Sequence, residues 1–278
     1  NNRGIEMNLE WRDKTESGFE YNVGVNMSTI RNRMTKLNGG TPISDGPFRN
    51  GSMYLTYTNE GMPIGAFWGY KTDGLIQTQE QLNAVKRADF QPNAELGDVL
   101  FVDTNGDGKL DSSDRCMIGN PIPDIIYGIN MGMAWKGFDL NLQFGGTIGN
   151  QIFNAMRYYT YFPNDITNKD RALMNYWTPN NTNTDIPRLT ATDVNDNDRF
   201  SDMYVENGTY FRLRNAQLGY TLPASLTQRI KLQKVRFYVS GQNLFTISSY
   251  SGMDPEVGQS SSLHRVVQVK HGRFEDFG

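Results

Sequence analysis

The 278 residues carry 27 Lys and Arg against 30 Asp and Glu, a net charge of −3 with no basic stripe, which excludes a nucleic-acid partner held through phosphate contacts. A single cysteine, Cys116, excludes an internal disulfide and any multi-cysteine metal centre. Hydrophobic residues make up only 37%, and no apolar run approaches the ~18 residues that a spanning helix needs. The chain opens on Asn1 without a charged-then-apolar leader and reads as a piece of something longer.

In chain order, residues 4–11 place Ile5, Met7, Leu9 and Trp11 on one face and Glu6, Asn8 and Glu10 on the other. After a polar turn at 12–18, residues 19–28 repeat the alternation with Phe19, Tyr21, Val23, Val25 and Met27, so the spacing predicts a β-hairpin. A long polar stretch over 36–124 follows, with turn signals at Asn38-Gly39-Gly40, Asp45-Gly46 and Asp73-Gly74 and a predicted helix near 79–88. Next, Ile125 to Trp135 and Phe138 to Phe144 alternate on either side of Lys136-Gly137, predicting a tight hairpin. A second polar stretch over 147–208 carries an aromatic run at 158–162 and a predicted helix over 169–176. Strands over 209–222 and 234–246 end the series, and a change of parity in the first predicts a bulge near Asn215.

Short connections (12–18, 136–137, 223–233) thus alternate with long ones (36–124, 147–208, after 247). A soluble sandwich shows the same alternation along its strands. Loops of ~60–90 residues between hairpins are rare in compact domains, and strands of ~10 residues are long for a sandwich. Short turns at one end and long loops at the other are the pattern of a transmembrane barrel. The expected fold is therefore all-β: a segment of an antiparallel transmembrane β-barrel with long extracellular loops.

The chain also resembles the SusC/RagA-type TonB-dependent outer-membrane transporters of Bacteroidetes. The resemblance is carried by Gly65-Ala66-Phe67-Trp68-Gly69-Tyr70, Thr72-Asp73-Gly74, Gly97-Asp98-Val99 and the run from Asp103 to Arg115. It continues through Ile118-Gly119-Asn120-Pro121-Ile122-Pro123, Gly137-Phe138-Asp139-Leu140 and Tyr176-Trp177-Thr178-Pro179. Pro187-Arg188-Leu189, Tyr210 to Arg214 and Val239 to Phe245 complete it. It implies a C-terminal barrel segment over residues 1–260, part of a plugged barrel of ~22 strands, with the N-terminal plug absent. Residues 261–278 form an atypical tail in place of the closing strand. The resemblance further implies import of large nutrients, oligosaccharides above all, with a SusD-like surface lipoprotein as lid and TonB supplying energy through the plug. Six strands alone close no barrel, so this piece is not expected to insert by itself.

Two groups are candidate sites. Asp103, Asn105, Asp107, Lys109 (through its backbone carbonyl), Asp111 and Asp114 match the calcium-loop template at positions 1, 3, 5, 7, 9 and 12, with Gly108 at the sharp turn. Asp at position 12 is shorter than the usual Glu, and the alternative is a hydrogen-bonded turn that keeps its shape without metal. Tyr158, Tyr159, Tyr161, Phe162 and Trp177 are candidates for a sugar or partner contact, or for a small core beneath the loop. Arg212 and Arg214, with Glu6, Glu10 and Glu20, are expected on the lumenal face as paired charges. The only histidines, His264 and His271, lie in the tail, and no nucleophile–base arrangement or phosphate loop is present. No catalytic cofactor is expected, and calcium is the one candidate ion. The rival reading is a secreted, calcium-stabilised β-domain that binds glycans.

Overall fold

The computed structural model describes residues 1–49, 51–161 and 168–256, and these form two compact units. The first, Asn1–Asn32, Ile122–Asn150 and Asn207–Ser249, is a six-stranded antiparallel sheet. Its strands are β1 (Glu6–Lys14), β2 (Glu20–Thr29), β3 (Ile125–Trp135), β4 (Phe138–Ile148), β5 (Tyr210–Thr221) and β6 (Arg236–Ser248). They lie side by side in chain order, from β1 at one edge to β6 at the other. Lengths of 9 to 13 residues bracket what a tilted strand needs to cross a bilayer.

The connections explain the order. Lys136 and Gly137 both take positive φ (48° and 88°), the geometry of a two-residue turn whose twist matches its strands. β3 and β4 then pair without interruption from Trp135↔Phe138 to Ile125↔Ile148. On β5 the register to β4 passes from Gln143↔Asn215 to Phe144↔Leu213, skipping Arg214. This bulge is where the sequence changes parity, because one extra residue turns every later side chain to the opposite face.

Register sorts the side chains into two faces. Trp135, Phe138, Tyr220 and Phe237 are successive partners across four strands, and Met131, Leu142 and Ala216 form an aliphatic row further along. The opposite face aligns Asn130, Gln143, Asn215 and Gln242. The apolar face is open: Leu9, Phe138, Phe237 and Val239 are each more than half exposed. An apolar surface six strands wide is not what a soluble monomer leaves in water. It is what a barrel wall presents to lipid.

The second unit comprises, among the described residues, those within Arg33–Pro121 and Gln151–Glu206 together with 250–256. Where the polar composition predicts long loops, a folded body appears. A four-stranded sheet runs in the order Cys116–Gly119, Ala66–Gly69, Met53–Thr58, Ile43–Phe48. Helix α1 (Gln79–Arg87) starts at a capping box in which the Thr78 side chain accepts from the Gln81 N–H and the Gln81 side chain reaches back. Helix α2 (Ala155–Tyr161) has no sequence expectation. The helix expected over 169–176 is instead a 3-10 turn, Arg171–Asn175. Asp170 caps it, and Tyr176 is already extended (ψ 158°), so only one turn fits between them. Three apolar clusters hold the body together.

Candidate functional site

On the sheet, the polar face forms a recess of about 610 Å³ near the short turns, lined by Arg12, Lys14, Glu20, Asn22, Asp139 and Asn141. Its charges are matched locally. Lys14 reaches Glu20 at 2.7 Å and Arg12 reaches Glu10 at 2.5 Å. Arg236 donates two hydrogen bonds to Asp139, at 3.0 and 2.5 Å. Arg212, almost fully buried, donates to the Thr246 hydroxyl at 2.8 Å, and Arg214 donates to the Tyr210 hydroxyl at 3.1 Å. The face thus combines amides, ion pairs and two guanidinium groups bonded to hydroxyls.

In the loop body, motifs far apart in sequence meet. Gly97 lies under the indole of Trp177, and a Cβ there would stand 2.3 Å from Trp177 Cε3. Asp98 is fully buried. Its Oδ1 accepts from Arg188 Nε (2.7 Å) and Asn197 Nδ2 (3.1 Å), and its Oδ2 accepts from the Glu95 N–H (2.8 Å). The Asn197 Oδ1 in turn accepts from the Val99 N–H, and Gln91 brackets Phe101 N–H and Val99 C=O through its own amide. The stretches Gly97-Asp98-Val99, Trp177-Thr178-Pro179 and Pro187-Arg188-Leu189 are therefore one latch. Sequence reasoning listed these stretches without uniting them, and Asn195 and Asn197 carried no signal at all in a polar run.

Substituting Gly97 by Ala is expected to destabilise the loop body by about 2–4 kcal/mol, since φ is +85° and the new methyl meets an indole. Gly106→Ala, at φ +77° with open space around it, should cost only the conformational part. Thermal melting of the receptor followed by tryptophan fluorescence would compare them. Equal effects would place the indole elsewhere.

The aromatic candidates divide between two cores. Tyr158 is buried in the cluster of Leu55, Phe67, Phe153 and Tyr204, with Tyr159 packed against it. Trp177 belongs to a separate cluster with Leu75, Phe90, Val99 and Phe101, and its Nε1 donates to Gln77 Oε1 at 2.7 Å. Tyr161 stays half-buried under the Arg157 guanidinium, 5.1 Å from the ring centre. Phe162 lies outside the described residues. Burial pushes the Tyr158 phenol well above its usual range and raises the Cys116 thiol, so both stay protonated at neutral pH.

The acidic loop is closed by its own hydrogen bonds. Asp103 accepts from the Gly106 and Gly108 N–H groups (2.6 and 2.8 Å), Asn105 from Asp107, and Asp107 from Lys109. Asp111 caps a 3-10 turn, Ser112–Asp114. The buried Asp114 accepts from the Thr104 and Asp111 N–H groups, both at 3.0 Å. Among the described residues no three His, Cys, Asp or Glu side chains gather as a metal-holding group. Donated N–H groups, those of Gly108 and Ser113 foremost, hold the carboxyls of Asp103 and Asp111 below the usual aspartate range. Depressed folded values mean their contribution is complete above the unfolded value, about 3.9. It is lost as pH falls through the lower folded one. Exchange protection of the Gly106, Gly108 and Ser113 amides, taken relative to the intrinsic rate at each pH, should therefore hold at pH 5 and fall only below about pH 4. Loss of protection already between pH 7 and 5 would contradict these bonds.

No family model matches the sequence. Among curated proteins, TonB-dependent receptor P3 of Formosa agariphila is 36% identical over 261 residues, which cover 92% of this chain and 25% of that protein. TonB-dependent receptor SusC of Bacteroides thetaiotaomicron is 26% identical, over 92% of this chain and 24% of its own length. Among solved structures, the RagAB peptide transporter superposes with a TM-score of 0.72 at 25% identity, covering 92% of this chain and 26% of that one. The chain matches a segment of the SusC/RagA-type TonB-dependent receptors.

Receptors of this type are β-barrel proteins of the outer membrane and not enzymes. The six-stranded sheet is a stretch of such a barrel's wall, and its open apolar face has the bilayer as its solvent. This SusC/RagA-type segment spans about a quarter of the length of the curated relatives it matches. The recess over Asn22 and Asn141 lies on the face opposite the lipid, the lumenal side of that wall.

Proposed function

We propose that this chain supplies barrel wall and extracellular loops to a TonB-dependent importer of large nutrients. Its cargo is an oligosaccharide, a SusD-like surface lipoprotein acts as lid, and TonB drives uptake through a plug domain. The observation that carries this is the division of one continuous register into an exposed apolar face and a polar face of amides and neutralised pairs. The amides of such a face hydrogen-bond a neutral, hydroxyl-rich solute as both donors and acceptors. The likeness to the RagAB peptide transporter favours a second cargo, a peptide, whose backbone amides the same face would serve.

The test is the native product in an outer-membrane fraction, detected with antibody to residues 40–120. A heat-modifiable band several times larger than 31.5 kDa is expected. A soluble product of that mass would overturn the reading in favour of a secreted glycan-binding domain. Cargo is then decided by mass spectrometry of what co-purifies with the receptor and its lipoprotein: glycans or peptides.

Calcium at Asp103, Asn105, Asp107, Lys109, Asp111 and Asp114 remains a proposal supported by ligand spacing, with loop stiffening as its role. Added calcium at about 10⁻³ M, the affinity range of extracellular sites, should then slow amide exchange over 103–114 in the receptor. Exchange indifferent to calcium would leave the hydrogen bonds as the whole explanation.

A further inference from the structure

We propose that the β5–β6 connection, together with the β3–β4 turn, binds the phosphate headgroups of anionic phospholipids in the leaflet on the short-turn side. This rests on the sheet being barrel wall. The aromatic row Trp135, Phe138, Tyr220 and Phe237 is continuous in register across β3, β4, β5 and β6. The Phe138 and Tyr220 rings lie 4.5 Å apart, and Trp135, Phe138 and Phe237 are exposed on the apolar face. Amphipathic rings gather at the level where hydrocarbon gives way to headgroups, so this row marks the depth of the interface.

The chain just beyond the row is cationic. Residues 222–236 read LPASLTQRIKLQKVR, with Arg229, Lys231, Lys234 and Arg236 and no acid, in a protein whose net charge is −3. The carboxylate on the neighbouring strand, Asp139, is taken by Arg236. Among the described residues, Arg229, Lys231 and Lys234 form no ion pair, and all three are exposed. On the adjacent turn, Lys136 holds its ammonium 4.4 Å over the Trp135 ring, one residue to the water side of the aromatic row. The two connections are tied, since the Thr221 N–H donates to the Gly137 carbonyl at 2.8 Å.

Apolar anchors accompany the cations. Leu226 and Leu232 are about half exposed, at 49% and 48%, on a connection containing a short helical turn, Ala224–Thr227. Exposed leucines beside unpaired Lys and Arg at interface depth are the composition of a segment that lies in a headgroup layer. The charge is not a general property of this end of the sheet. Around the β1–β2 turn, Arg12 and Lys14 alternate with Asp13, Glu16 and Glu20, and both cations are paired. Charge complementarity therefore selects an anionic lipid, and selects it at one side of the wall.

The experiment uses the full-length receptor extracted from outer membranes and exchanged into nanodiscs of phosphatidylcholine containing a minor fraction of phosphatidylglycerol. Native mass spectrometry after release counts retained lipids of each class. The parent is expected to retain phosphatidylglycerol over phosphatidylcholine. The triple variant R229Q/K231Q/K234Q should lose about tenfold or more of that preference, as each Lys or Arg near an anionic surface changes partition by about fivefold. The variant R12Q/K14Q on the mixed turn should keep it. An unchanged preference in the triple variant, or an equal loss in both variants, would overturn the proposal. Failure of the barrel reading looks different: the parent would show no heat-modifiable band and retain neither lipid.

Discussion

Replacing Asp98 by Ala is expected to unlatch the loop body, at a cost of about 3–5 kcal/mol, the usual range when one partner of a buried charge pair is removed. Asp98 has no exposed surface, and three donors end on it: the Arg188 guanidinium, the Asn197 amide and the Glu95 N–H. Alanine removes an acceptor from all three: Arg188 keeps only the exposed Glu95, Asn197 keeps Asp193, and the Glu95 N–H loses its carboxylate partner. Against a typical domain stability of about 5–15 kcal/mol, that loss is large. The nearby Glu95→Ala is the control, because Glu95 pairs with the same Arg188 at 2.8 Å but its side chain is 60% exposed. Such pairs contribute about 1 kcal/mol or less. Hydrogen exchange at Val99 and Phe101, in the intact receptor, reads the difference. Equal protection in the two variants would mean that Asp98 does not carry the latch.

Placing Arg at Leu142 is expected to destabilise the barrel by about 2–4 kcal/mol, the cost of a cation on the lipid face near the bilayer midplane. Leu142 sits mid-strand between Met131 and Ala216 in the aliphatic row. Its neighbour Asn141 lies on the polar face between Gly132 and Gln217, and Asn141→Arg should cost little because the guanidinium there meets water and amides. Urea unfolding of the receptor in lipid vesicles measures both. The reverse ranking would invert the assignment of faces and with it the lumenal recess.

How far the sequence reaches differs between the two units. In the sheet, period-two alternation located all six strands to within a few residues, and the parity change around Asn215 marked the bulge at Arg214. Those signals are legible because a strand with lipid on one side and a polar lumen on the other must alternate at every residue. The Lys136-Gly137 turn and the unequal connection lengths then gave the topology.

Apart from the helix near 79–88, present as Gln79–Arg87, the loop body was not legible, and for the same physical reason reversed. Its strands are short and covered irregularly on both sides, so period two does not persist long enough to read. Helix α2 hides in an aromatic run, and Trp177 was grouped with Tyr158 because both are aromatic, although each fills a different core. The latch joins positions about 90 to 100 residues apart through amide and carboxylate side chains, which in a polar stretch look like any surface residue. By itself the sequence determined the wall, its faces and its family likeness. Only the tertiary structure decided what lies between the strands, because contacts between distant polar groups leave no period in the chain.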